Sequence, residues 1–272
     1  MFCGIGGFDL ALNNNGWRCV GCSEIDKYAN AVYQHHWPEV KNFGDATTID
    51  TGQLPAFDLL VAGFPCQAFS MAGNRRGFDD TRGTLFFQIA RVAEAKKPSL
   101  LLLENVRGLL NHEQGQTFKT ILSTLDDLGY DAEWQVLDSA GFGVPQHRDR
   151  VYIVGHLRGR RTEPIFPIEP ITHGDIKVCY RSPLKYRQTT QAYSERGVST
   201  TLACHSASRI LIGERKRLVT PTECERLQGF PDGWTAKGMI GNKEIDISDN
   251  QRYYMLGNAV TVPVVDAIVG KL

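Results

Sequence analysis

The chain has 272 residues, 42% hydrophobic and 22% charged, with 30 Lys and Arg balanced by 30 Asp and Glu. That length supports one large domain or two modest ones around a real core, and the composition is that of an ordinary globular protein rather than a disordered or collagen-like chain. No apolar run reaches the ~18 residues of a membrane span, and no basic-then-apolar leader opens the chain, so export is not expected and the seven cysteines read as reduced thiols.

The predicted elements alternate between short apolar runs and helical patterns through residue 156. Gly7 to Asn14 reads as a helix stopped by Asn13-Asn14-Asn15-Gly16. Trp17 to Ser23 reads as a strand ending at Glu24, and Leu59 to Ala62 as a strand leading into Pro65-Cys66. Leu85 to Ala95 is a helix. "SLLLLENV", 99–106, is short enough for a strand buried on both faces. Thr117 to Leu128 is a helix and Arg150 to Gly155 a strand. This alternation predicts a doubly wound, largely parallel α/β sheet.

From about residue 157 the pattern breaks into an irregular, strand-poor stretch punctuated by Pro164, Pro167, Pro170 and Pro183. Order returns at "TPTECERLQGF": Thr220 caps a helix, Pro221 suits its first turn, Glu223 completes a capping box and Gly229 ends it. A last apolar helix spans about 259–269.

The neutral total hides an asymmetry. Residues 1–156 carry 13 Lys and Arg against 18 Asp and Glu, a net of −5; residues 157–217 carry 12 against 5, a net of +7; residues 218–272 carry 5 against 7, a net of −2. A basic segment between two acidic ones suits a phosphate-contacting lobe or a merely solvated basic face.

Several residues carry chemistry. "FCGIGGF" places Gly4, Gly6 and Gly7 in a loop that opens a helix, where backbone approaches a ligand closely. Glu24, 20 residues after Gly4 at the end of the next strand, stands where an acid binds ribose hydroxyls. Asp45 reads either as an acceptor for an adenine amino group or as a cap. Cys19 and Cys22 are core thiols rather than a metal or redox pair, because residues three apart in a strand face opposite sides.

Pro65 rigidifies the backbone ahead of Cys66, a setting that suits a nucleophile rather than a structural thiol. Glu104 closes an apolar strand, where a carboxylate is costly unless paired or protonated, and a raised pKa makes it a proton donor. Arg148 and Arg150, two apart, share one face of an entering strand; they suit a carboxylate-rich partner or structural salt bridges. The stretch Gly63 to Gly83, with Arg75, Arg76 and Arg82, reads as a basic, glycine-hinged lid.

Together these residues resemble the DNA (cytosine-5) methyltransferase family, with motifs in family order over nearly the whole chain. "FCGIGGF" resembles the S-adenosylmethionine loop, Glu24 the ribose-binding acid and Gly44-Asp45 the adenine-binding motif. "GFPCQAFS" resembles the catalytic loop, "DTRGTLF" (80–86) a motif lining the cofactor, and "ENV" (104–106) the one whose Glu binds the target base. "QHRDR" (146–150) is similar to the Gln-x-Arg-x-Arg motif. "RLVTPTECERLQGFPD" resembles the motif supporting the recognition lobe, and "LGNAVTVPVV" (256–265) the closing motif.

The resemblance implies a Rossmann-like methyltransferase sheet with a smaller, irregular target-recognition domain: residues 1–156 plus about 253–272 for catalysis and cofactor, about 157–252 for recognition. It implies that Cys66 attacks C6 of a flipped-out cytosine in a short specific DNA sequence, while Glu104 holds N3 and the exocyclic amine and Arg148 and Arg150 orient the base. S-adenosylmethionine would rest on Phe2, Gly4, Gly6, Gly7, Glu24, Ile25, Asp45, Leu85 and Asn258; no metal is expected. Double-stranded DNA would meet Gln67, Ser70, Arg82, Thr201 and Leu202. The implied setting is a monomer in the bacterial cytoplasm or encoded by a phage, with no membrane, alongside a restriction endonuclease that cuts the same site without touching it. A methyltransferase acting on transfer RNA is the nearest rival, but that branch shows Pro-Pro-Cys-Gln where this chain has Phe64-Pro65-Cys66-Gln67. A catalytically silent DNA-binding relative would be expected to lack Cys66, Glu104 or the glycine loop, and a nicotinamide dehydrogenase explains neither Cys66 nor the basic segment.

One element of the family pattern is absent. An apolar strand of about five residues normally precedes the glycine loop, and here only Met1 and Phe2 stand before Cys3. Losing such a strand forfeits roughly 1.5–3 kcal/mol per buried side chain, against a whole stability of about 5–15 kcal/mol. The expectation is a chain truncated at its start, marginally stable and weak in cofactor binding.

Overall fold

The computed structural model describes residues 1–65, 85–160, 163–170, 192–194, 202, 209–212 and 215–272. Strands β1 (Leu59–Gly63), β2 (Leu100–Val106), β3 (Tyr130–Asp138) and β4 (Asp149–Leu157) form the central sheet, in the spatial order β1-β2-β4-β3. β2 lies between two neighbours and under helices on both faces. Leu101 and Leu103 therefore enter one apolar layer while Leu102 enters the other. All three are closed to water, each contributing roughly 1.5–3 kcal/mol of burial.

Helices α1 (Gly7–Asn14), α2 (Lys27–His36) and α7 (Val262–Val269) supply Phe8, Val32 and Val265 to the layer of Leu102. Helices α3 (Leu85–Lys96) and α4 (Gln116–Asp127) supply Phe86, Ile89 and Ile121 to the other. The doubly wound α/β arrangement expected from the sequence is present. The sheet is less parallel than expected: only β1 and β2 run parallel, while β4 runs antiparallel to both β2 and β3. β3 returns into β4 through the short stretch Ser139–Arg148, and a connection that short permits only an antiparallel partner.

The strand expected over Trp17–Ser23 does not form. This segment makes one isolated parallel bridge, Cys22 to Asn42. A strand exists only where a neighbour accepts its hydrogen bonds, and among the described residues the flank towards β1 has no strand beside it. β3 and the helix α6 (Asp249–Asn258) carry too little apolar periodicity to stand out in the sequence. The apolar helix expected over 259–269 begins only at Val262, because Pro263 suits a first helical turn and Ala259 is extended.

The expected irregular stretch contains, in its described parts, a small sheet of β5 (Ala192–Ser194), β6 (Arg209–Ile212) and β7 (Arg215–Leu218). Helix α5 (Pro221–Leu227) starts with the predicted capping box: Thr220 Oγ1 accepts from the Glu223 N–H, and Glu223 Oε2 accepts from the Thr220 N–H. A hairpin of β8 (Lys237–Ile240) and β9 (Lys243–Asp246) lies against α2, where Gly238 is needed because a Cβ there would come 2.9 Å from that of Ala31. Trp234 stacks on His36 and donates from its indole nitrogen to the Ile5 carbonyl at 2.9 Å, tying this region to the glycine loop. Among the described residues no helix is long and apolar enough to cross a membrane.

Candidate active site

The glycine loop needs its glycines. Gly4 and Gly6 hold positive φ of 53° and 83°, and a Cβ on Gly6 would collide with the Trp37 ring. Gly7 has ordinary φ, but a Cβ there would come 2.7 Å from Val260. The Glu24 carboxylate organises the turn. Its Oε2 accepts from the Gly4 N–H at 2.8 Å, while Oε1 accepts from the N–H groups of Ile25 and Asp26 at 2.9 and 2.8 Å. Asn42 brackets Glu24 from behind, accepting from its N–H and donating to its carbonyl.

These residues surround a cavity of about 170 Å³ whose wall includes Phe2, Gly4, Glu24, Asp26, Glu104 and Asn258. Gly7 also lines it, whereas Gly6 lies behind the loop under Trp37. Ile25 adjoins Glu24 with its side chain 75% exposed, and neither it nor Asp45 nor Leu85 is part of the wall. Asp45 is fully exposed and accepts from the N–H and hydroxyl of Thr47, which holds its carboxyl below the usual range; here it acts as the cap of a short helical turn. The sequence reading missed Asp26, Tyr254 and Met255. Asp26 had a legible signal, being an N-cap that accepts from Tyr28 and Ala29, but nothing in the polar run 249–258 marked the other two.

The far end of the cavity is the second centre. Gly63 ends β1, and a Cβ there would lie 3.2 Å from Glu104 Oε2. Glu104 is buried at the end of β2, with its Oε1 2.9 Å from Arg150 Nε. Burial pushes its carboxyl above the ordinary range, and the guanidiniums of Arg150 and Arg148 act against that rise. Asn105 donates to the Phe64 carbonyl at 2.7 Å, fixing the backbone one residue before Pro65. Cys66, Gln67, Ser70, Arg82 and Thr201 lie outside the described residues, as does most of the expected lid.

The "QHRDR" run distributes three side chains at two-residue spacing to three partners. Gln146, closed to water, donates to the Leu227 carbonyl and accepts from the Leu202 N–H, both at 2.8 Å. Arg148 donates to the carbonyls of Gly257 and Ala259, at 3.1 and 2.7 Å, and so clasps both sides of Asn258. Arg150 holds Glu104. Leu202, expected at the DNA face, has its side chain in the core; what it contributes here is an anchor to Gln146. Cys19 and Cys22 are free thiols, and burial pushes that of Cys19 up to about 12. Among the described residues no group of three or more His, Cys, Asp or Glu is placed to hold a metal ion.

The donor set fits an adenosine cofactor with a charged tail. Glu24 is a carboxylate already oriented by three N–H groups, with lone pairs left to accept from a diol. The side-chain-free loop at the start of α1 lets a ligand approach the backbone, and Glu104 closes the opposite end where chemistry would occur.

The chain matches the family model of C-5 cytosine-specific DNA methylase over residues 1–182 and 172–272. It is 38% identical over 306 residues to the Type II methyltransferase M.NlaX of Neisseria lactamica, covering 100% of this chain and 94% of that protein. It is 36% identical over 323 residues to the Type II methyltransferase M.HpaII of Haemophilus parainfluenzae, covering 100% and 87%. In fold it is similar to the Dnmt2 methyltransferase of S. pombe, with a TM-score of 0.75 at 20% identity, covering 99% of this chain and 95% of the other.

Proposed function

The chain belongs to the C-5 cytosine-specific DNA methylases, and we propose how its own residues divide the work of methylating C5 of cytosine in DNA. S-Adenosylmethionine, when bound, supplies an electrophilic methyl group. Glu24 receives its ribose, Phe2 and Asn258 flank it, and the backbone from Gly4 to Gly7 lies against it.

The target base enters beside Glu104, which requires that it leave the duplex. The Cys66 thiolate forms a bond to C6. Glu104, whose proton affinity burial raises, donates to N3 in its protonated form and so stabilises the electron density pushed into the ring. That addition makes C5 nucleophilic. C5 would take the methyl group that the bound cofactor supplies, the cofactor leaving as its neutral thioether; loss of the C5 proton to a base then lets the methylated ring expel the Cys66 thiolate and regain aromaticity. Arg150 positions Glu104, and Arg148 positions Asn258.

The observation that carries this reading is the buried Glu104–Arg150 pair at the end of the cofactor cavity, beside Gly63, which pairs with Glu104 and stands two residues ahead of Pro65 in the chain. The basic stretch 157–217 meets the phosphates and reads a short sequence, with Gln146 as its tether to the catalytic body. The working unit is a monomer in the bacterial cytoplasm. A restriction endonuclease of the same specificity acts on the same DNA without touching it.

The test is incubation with labelled S-adenosylmethionine and either mixed-sequence DNA or transfer RNA, followed by sequencing for 5-methylcytosine. Label in a recurring short DNA sequence is the expected result. Label in transfer RNA alone would overturn the substrate assignment.

A further inference from the structure

Three aromatic rings, those of Trp37, Phe230 and Trp234, support the glycine loop without lining the cavity in front of it. We propose that the central one, Trp234, is a positioning residue for cofactor binding: its indole N–H holds the Ile5 carbonyl and so fixes the loop on which S-adenosylmethionine rests. The inference rests on the reading of that cavity as the cofactor site and extends it to a residue outside the cavity wall.

Each ring meets a different residue of the loop. A Cβ on Gly6 would come 2.1 Å from the Trp37 ring, and one on Gly7 would come 3.1 Å from the Phe230 ring. Trp234 donates from Nε1 to the Ile5 carbonyl at 2.9 Å. It also joins the other two, with ring centroids 5.5 Å from Trp37 and 5.6 Å from Phe230. Ile5 and Gly7 belong to the cavity wall, so the support stands directly behind the surface that a ligand meets.

The Ile5 carbonyl needs this partner. The Leu10 N–H of α1 donates to the Gly6 carbonyl at 2.9 Å, which leaves the Ile5 carbonyl one residue outside the helix. Ile5 is buried, and a buried carbonyl without a donor is costly. The loop also has little stiffness of its own. Gly4, Gly6 and Gly7 fill three of its four positions, and glycine loses the most conformational freedom on ordering. A loop fixed before the ligand arrives removes that cost from binding.

Trp234 is itself held by a buried carboxylate. Glu225, closed to water, accepts from the N–H groups of Gly233 at 2.7 Å and Thr235 at 2.8 Å, the residues on either side of Trp234. Arg252 of α6 answers its charge at 2.9 Å and also donates to the Thr235 hydroxyl. His36 stacks on the indole with centroids 3.5 Å apart, and its Nε2 lies 2.8 Å from the Trp234 carbonyl. Helix α6 goes on to supply Tyr254, Met255 and Asn258 to the cavity wall. Glu225 therefore joins, at one point, the helix that lines the cavity and the ring that braces its loop.

The test is Trp234→Phe, which keeps an aromatic ring on His36 but removes the indole N–H. Glu225→Gln is a second variant that loosens the turn and leaves the indole intact. Trp234→Phe is expected to weaken S-adenosylmethionine binding about tenfold in calorimetry. The KM for S-adenosylmethionine should rise to the same extent while kcat stays within about twofold of the parent. Glu225→Gln should show the same split to a smaller degree. Amide hydrogen exchange without cofactor is the second readout: exchange at Gly4 to Phe8 should quicken while Leu101 to Leu103 in β2 keep their protection. Exchange that quickens equally in both places, or unchanged cofactor affinity in both variants, would overturn the proposal and leave Trp234 a packing residue. A parent that binds no S-adenosylmethionine would overturn the cofactor reading and this proposal together, and that failure is distinguishable because it needs no substitution.

Discussion

Arg150 holds Glu104: its Nε stands 2.9 Å from Oε1, and the two side chains are only 13% and 11% exposed. A carboxylate at that depth needs either a cation or a proton, and this site supplies both influences. Burial raises the proton affinity of Glu104 and Arg150 lowers it. The sign matters for rate. In the proposed role the protonated acid is the active form, so turnover should fall as pH rises through the raised pKa of Glu104. Glu104→Gln should remove that alkaline limb and lower the rate by about 10²–10⁴-fold, since an amide cannot give up a proton. Arg150→Ala should move the limb to still higher pH, because the opposing cation is gone. Single-turnover pH profiles of the three proteins check both expectations; identical limbs would show that Glu104 is not the titrating group.

Cys66→Ser should abolish methyl transfer while DNA binding persists. The hydroxyl is nearly isosteric with the thiol but a far weaker nucleophile near neutral pH. Residual activity within tenfold of the parent would exclude a covalent step at this position.

Glu24 and Asp45 should separate cleanly in cofactor binding. Glu24 accepts from three N–H groups at the loop and lines the cavity, whereas Asp45 is exposed and caps its own turn. Charge-assisted hydrogen bonds are worth about 1.5–3 kcal/mol each, so Glu24→Ala should weaken S-adenosylmethionine binding by at least tenfold in calorimetry. Asp45→Ala should change it by less than a factor of about three. A larger loss at Asp45 would return it to the adenine site.

Salt dependence should identify which arginines of the basic segment meet phosphate. Arg158 is engaged by Asp126 and by Asp131, the latter at 2.8 Å, so its charge is answered within the protein. Arg158→Gln should leave the slope of log affinity against log salt unchanged. Neutralising Arg160, Arg161, Lys185 and Arg187 should instead flatten it, by roughly one unit for each phosphate that is no longer neutralised. A flattened slope for Arg158→Gln alone would mean that DNA displaces its acidic partners.

The residues that the sequence marks by itself are those whose anomaly is local. A carboxylate closing "SLLLL" is improbable without a task, and Glu104 proves to be buried and paired. Thr220 and Glu223 define a cap within four residues, and it forms as expected. What the sequence could not decide are relationships whose second half lies far along the chain. Gln146, Arg148 and Arg150 read as one short motif in the sequence. In the fold they address Leu202 and Leu227, the carbonyls beside Asn258, and Glu104, across separations of 46 to 111 residues. Trp17 to Ser23 has the composition of a strand, yet among the described residues it makes only the isolated bridge from Cys22 to Asn42. Helical caps and apolar periods are settled by neighbours within a few residues, whereas a strand or an ion pair exists only when the tertiary structure delivers its partner.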